Sequence, residues 1–297
     1  MEFKDKTITY KSLLFMAIYE FLGTFIALVC VNCAVNNAAV VGVGFFIAAT
    51  LTGRVCGGHF NGAVTLAVYL CEARWCENLP IALIIVVVDL MGAYAAMAVC
   101  LAMQGVDGTF TLIPPSDHQS SEFSNVFIVM VEEALFTWIL VSSILFIKYR
   151  KVSATEDGML SNVTVGLAIY VAVSMSGPIT GGGLNPTFGL ALISTDILTK
   201  AYYPEKTDPV HPPFLVSYTI GPLIGGILAA LLLLLTQKIT PEAVNPKEDY
   251  MQTRHSSVSD INNNYTIQFN KDLSSPREKK TMSGLEVLSA KDYLMGA

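Results

Sequence analysis

Along most of the chain the apolar residues form long, nearly unbroken runs, and the polar residues gather in the short breaks between them. Six runs are long enough for a helix to cross a bilayer, which takes about 20 predominantly apolar residues at a rise of about 1.5 Å each. They lie near 12–33, 38–55, 80–104, 125–148, 160–178 and 213–236. Two further apolar runs are much shorter, from Asn61 to about Cys71 and from Asn185 to about Ser194. Each covers roughly 15 Å, about half a hydrocarbon core, so it must enter the membrane and return on the same side. The pattern predicts an all-α membrane protein with six transmembrane helices plus two re-entrant half-helices. It ends at Thr236: residues 237–297 are polar, rich in Asn, Ser, Lys and Glu, and predict a disordered tail. A short tail (1–11), a membrane domain (12–236) and this C-terminal tail (237–297) are the expected divisions.

The membrane part repeats itself. The first run contains Glu20-Phe21-Leu22-Gly23-Thr24 and the fourth contains Glu133-Ala134-Leu135-Phe136-Thr137. In each, the carboxyl and hydroxyl groups lie one helical turn apart on the same face. An Asn-headed short segment follows in each half, between its second and third spans. Three spans per half is an odd number, so the halves enter from opposite sides and form an inverted 3+3 repeat. The sequence before each Asn is rich in glycine: Cys56-Gly57-Gly58-His59 in one half, Gly177 to Gly183 in the other. Non-helical backbone at membrane depth is tolerated only where protein buries it or a water-filled cavity is beside it. The repeat therefore predicts a cavity.

Composition and charge refine this picture. The 297 residues are 53% hydrophobic and 14% charged, against about 25% charged in an ordinary soluble domain. Lys4, Lys6 and Lys11 precede the first run, which has no small-residue cleavage site and reads as a retained helix. The breaks holding Arg54 and Arg74, and Lys148, Arg150 and Lys151, are basic, as are both termini; the break at 105–124 has no Lys or Arg. The positive-inside rule then puts both termini in the cytoplasm. A net charge of −6 with no basic stripe gives no sign of a nucleic-acid partner. The six cysteines lack metal-ligand spacing and read as small buried hydrophobes; a disulfide between Cys30 and Cys33 is the alternative. The glycosylation pattern at Asn264 falls on the cytoplasmic side of this topology, and Ser259 and Ser275 lie in short patterns open to phosphorylation.

Asn is a favoured helix N-cap, and Pro at the next position suits the first turn, as in Asn185-Pro186. Two half-helices entering from opposite faces meet by their N-termini, each with unpaired N–H donors and about half a positive charge. Such a meeting point can hold a neutral hydrogen-bonding solute while repelling protons and cations. The alternative is that each Asn only caps a buried short helix.

Taken together, Glu20 to Thr24, Gly57 to Ala67, Thr180 to Pro186 and Gly221 to Gly226, in this order and spacing, resemble the aquaporin (major intrinsic protein) family. The resemblance covers roughly residues 10–238. It implies a channel domain, a pore in each protomer and a homotetramer in the lipid bilayer; an enzyme is not expected, because His is scarce and no nucleophile sits with a base, and neither cofactor nor metal is expected. The family's two Asn-Pro-Ala boxes correspond to Asn61-Gly62-Ala63 and Asn185-Pro186-Thr187. By the same correspondence Glu20 and Glu133 anchor the re-entrant loops, and His59 packs and hydrogen-bonds in its loop. The selectivity filter falls on Val41, Val173, Gly182 and Phe188, where the usual water channel has an aromatic residue, a His and an Arg. Phe188 stands in the place of the Arg, and Gly189 in the place of the Asp usual in glycerol conductors. The implied function is a passive channel for water and small neutral solutes such as glycerol, urea or ammonia, with the solute left open by the apolar filter. A secondary transporter and a non-conducting membrane protein are the alternatives. Asp89, where the family commonly has Gln, is expected to bond a neighbouring helix or to serve the pore. Gly62, in place of Pro, is expected to loosen the first turn of the first half-helix.

Overall fold

The computed structural model describes residues 10–72, 74–114, 119–148, 153, 155, 157–203 and 211–239. The tail expected over 237–297 lies almost wholly outside them, as do the motifs at Asn264, Ser259 and Ser275. Among the described residues eight helices follow in order: α1 (Tyr10–Cys33), α2 (Ala38–Cys56), α3 (Gly62–Glu72), α4 (Trp75–Gly108), α5 (Phe123–Lys148), α6 (Gly158–Thr180), α7 (Pro186–Tyr202) and α8 (Phe214–Ile239). All but α3 and α7 are long and apolar enough to cross a membrane. Their outward faces carry Leu, Val, Ile and Phe, as helices facing lipid do.

The main packing contacts of one half have counterparts in the other. Helix α1 packs on α2 and α4, as α5 packs on α6 and α8. Helix α3 lies against α4 and α8, and α7 against α8 and α4; α2 meets α6 at the centre. This pairing is the inverted repeat expressed as packing. Close crossings are made at small residues. A Cβ on Gly42 would fall 2.6 Å from the Gly166 carbonyl oxygen, and one on Gly226 would fall 2.6 Å from that of Ala63. Without a side chain between them the backbones approach closely, the usual device where lipid supplies no hydrophobic drive to association.

Three boundaries differ from expectation. Helix α4 is longer, starting at Trp75 and bending at Gly105, whose φ of 71° is not helical. Helix α7 runs for 17 residues instead of stopping near Ser194. Its polar end continues because Lys200 pairs with Asp196 at 2.7 Å, one turn earlier, and the Thr199 hydroxyl donates to the Thr195 carbonyl at 2.8 Å. A hydropathy reading stops at the first charges, while intrahelical pairing carries the helix past them. The cysteines are free, and only Cys56, Cys71 and Cys100 are buried; Cys33 and Cys76 are exposed and Cys30 is intermediate. The reading of all six as buried hydrophobes is thus too broad, because two lie on outward faces.

Candidate functional site

The two short segments begin at Asn61 and Asn185, whose side chains join them reciprocally. The Asn61 Nδ2 donates to the Leu184 carbonyl at 3.0 Å, and the Asn185 Nδ2 donates to the Phe60 carbonyl at 2.8 Å. Each side chain also caps its own helix: Asn61 Oδ1 accepts from the Ala63 N–H at 2.8 Å, and Asn185 Oδ1 from the Thr187 N–H at 3.0 Å. An amide carries two N–H donors, so each Asn has one left over after these bonds.

The first turn at Asn61 is not looser than the one at Asn185. The Thr65 N–H reaches the Asn61 carbonyl at 3.0 Å and the Gly189 N–H reaches that of Asn185 at 2.8 Å, equivalent bonds in the two helices. The N–H that Gly62 adds is taken up by the Thr187 hydroxyl at 3.2 Å. A Cβ at Gly62 would stand 3.1 Å from the Pro186 ring. The second box thus bonds and walls in the residue that sequence alone reads as mobile.

Immediately before each Asn the backbone is in the left-handed region, at Phe60 (φ 48°) and Leu184 (φ 51°). Bulky residues seldom adopt this conformation, which persists only when the surroundings fix it. Here a buried carboxyl group fixes each. Glu20 Oε1 accepts from the His59 and Phe60 N–H groups at 2.6 and 2.8 Å. Glu133 accepts from the Leu184 N–H at 2.7 Å, the Gly183 N–H at 3.1 Å and the Thr180 hydroxyl at 2.6 Å. The Tyr218 hydroxyl adds a short bond to the Thr180 carbonyl. His59 is buried and its Nδ1 bonds the Thr65 hydroxyl at 2.9 Å. Asp89 is fully buried and accepts from the Thr24 hydroxyl at 2.6 Å, which ties α4 to α1. It is not among the residues lining the cavity.

A narrow cavity of about 50 Å³ runs past both Asn residues. Val41, Val173, Gly182 and Phe188 all line it, and the Phe188 ring meets that of Phe45, another lining residue, at 5.9 Å. Two polar lining residues belong to no motif. Asn36, in the turn between α1 and α2, donates to the Gly181 carbonyl at 2.6 Å beside Gly182. Lys148, the last residue of α5, lines the cavity at the other end and had been read only as a marker of membrane orientation. No sequence spacing relates either residue to the boxes; only the fold brings them to the same space.

Two inverted halves thus bring a pair of half-helices together beside a cavity that both Asn residues line. A family model described as Major intrinsic protein matches residues 8–233. The chain belongs to this family, and six of its described helices are long and apolar enough to cross a membrane. Among its relatives, Aquaporin-1 of Botryotinia fuckeliana is 27% identical over 215 residues, covering 71% of this chain and 41% of that protein. The chain thus spans less than half the length of that fungal relative. Glycerol uptake facilitator protein-like 6 of Lactiplantibacillus plantarum is 28% identical, over 71% of this chain and 93% of that protein. The crystal structure of an aquaglyceroporin from Plasmodium falciparum superposes with a TM-score of 0.59 at 16% identity, over 80% of this chain and 99% of that one, a likeness of fold.

Proposed function

We propose that the chain is a passive channel for water and small neutral solutes that excludes protons and ions, with Asn61 and Asn185 donating to the permeant. The observation that carries this reading is the reciprocal capping of the two half-helices, which leaves one amide N–H on each Asn beside the cavity. Two N-terminal helix ends, each equivalent to about half a positive charge, favour a neutral acceptor there and disfavour a cation. The constriction is Val41, Val173, Gly182 and Phe188, with the loop anchored by Glu20, Glu133 and His59. Its apolar walls suit solutes with a hydrocarbon face, such as glycerol, alongside water. Both termini are cytoplasmic, the Lys148 end of the cavity faces the cytoplasm, and the protomers assemble as a homotetramer in the bilayer.

Reconstitution in liposomes tests this. Osmotic shrinkage and uptake of glycerol and urea should exceed those of empty vesicles for the wild type and fall for Asn185→Asp, which loses the amide donor. Uptake equal to that of empty vesicles for every solute would overturn the channel, and saturating uptake driven by an ion gradient would favour a transporter. Phe188→Arg should narrow the solute range; an unchanged glycerol-to-water ratio would place the filter elsewhere.

A further inference from the structure

The filter positions carry no charge, yet the cavity does. Lys148 is the one formally charged side chain among the described residues that line it. It stands at the C-terminal end of α5, on the side where α2 ends and the His59 loop begins, away from Phe188. Its Nζ donates to Asn162 Oδ1 on α6 at 2.7 Å. The Asn162 Nδ2 in turn reaches the Thr50 hydroxyl on α2 at 3.3 Å. One chain of bonds thus joins three helices at this end and holds the ammonium group at the cavity wall.

We propose that Lys148 is a specificity-determining residue: it supplies the pore with a fixed positive charge at the end opposite the filter, and thereby excludes cations. The proposal rests on the channel reading above. A cation leaving bulk water for a narrow passage with low-dielectric walls meets a like charge less screened than in solution. A neutral solute meets only a hydrogen-bond donor. Charged rings discriminate ions in pores by this physics, and a single ammonium per protomer pore acts in the same way. Because the α5–α6–α2 bonds fix its place, the charge stays at the mouth and does not swing away.

The test uses the full-length protein in liposomes, with potassium leak and osmotic water flux measured on the same preparation and read as their ratio. K148R should keep the wild-type ratio. K148Q should raise it about tenfold and K148E further, in the order of the charge removed. Asn162→Leu, which keeps the ammonium but frees it, should fall between wild type and K148Q. A purely structural role would not give this order, nor rescue by Arg. Where K148E fails to insert, K148Q decides. K148Q with the wild-type ratio, in a protein that conducts water, overturns the proposal alone. A wild type that passes neither water nor any neutral solute overturns the channel reading and the proposal with it.

Discussion

Glu20 and Glu133 occupy equivalent places in the two halves but hold their loops differently. Glu133 spreads three donors over both oxygens. Glu20 takes two on Oε1, and its Oε2 has no hydrogen-bond partner among the described residues. The cause is one pair of residues, each five before its Asn. Thr180 supplies the third donor to Glu133. In the equivalent place Cys56 offers a weak thiol, which donates instead to the Thr52 carbonyl at 3.2 Å.

One turn along each helix the balance reverses. Thr24 finds an acceptor in Asp89, whereas the Thr137 hydroxyl has no partner among the described residues. Gly92 and Gly225 mark equivalent crossings, since a Cβ on either would meet the carbonyl of the residue following the Glu: Phe21 at 2.6 Å and Ala134 at 2.5 Å. Three residues earlier, Asp89 in the first half therefore matches Pro222 in the second. Pro offers no side-chain acceptor. The inverted symmetry has kept the backbone and the carboxyl groups, while the second layer of partners has diverged. An acid absent from one half thus stands in the other as a clasp between α1 and α4.

The comparison can be broken most sharply at the carboxyl groups. Glu133→Ala strands three donors and Glu20→Ala two, and a stranded buried donor costs about 1–3 kcal/mol. Thermal unfolding in detergent should show Glu133→Ala less stable than Glu20→Ala by about that amount; equal losses would mean the third donor contributes nothing. Next come the threonines. Thr24→Val leaves the Asp89 carboxyl without its hydroxyl and should cost about 1–3 kcal/mol, while Thr137→Val should change stability by under about 0.5 kcal/mol. Losses of similar size in both would refute the asymmetry.

Exchange of the loop residues sharpens the picture further. Thr180→Cys should destabilise by about 1–2 kcal/mol, and Cys56→Thr should stabilise by about 1 kcal/mol by giving Glu20 a third donor. A destabilised Cys56→Thr would show that the pocket beside Glu20 has no room for the hydroxyl. A small effect is expected at the boxes. Gly62→Ala gains about 0.5–1 kcal/mol of helix propensity but brings a Cβ to 3.1 Å from Pro186. The net change should lie within about 1 kcal/mol, read from the same melts.

The sequence was legible wherever lipid dictated the answer. Apolar runs of spanning length mark α1, α2, α4, α5, α6 and α8, because a backbone in hydrocarbon must satisfy itself within a helix. Runs half that length, headed by Asn and preceded by glycine, mark the half-helices for the same reason. The repeated Glu and Asn residues were visible as an inverted repeat. Harder to read was the end of α7, where Asp196 and Lys200 look like loop residues until they pair across one turn.

What the chain alone determined is therefore the set of elements and the residues that head them. Tertiary structure decided their partners: Asn61 with Leu184, 123 positions away, Asn185 with Phe60, 125 away, and Thr24 with Asp89, 65 away. Spacing carries no information about such pairs, because they form only when two halves of the chain pack against each other. For the same reason Lys148, a cation at a helix end in the sequence, becomes a wall of the cavity only once α5, α6 and α2 meet.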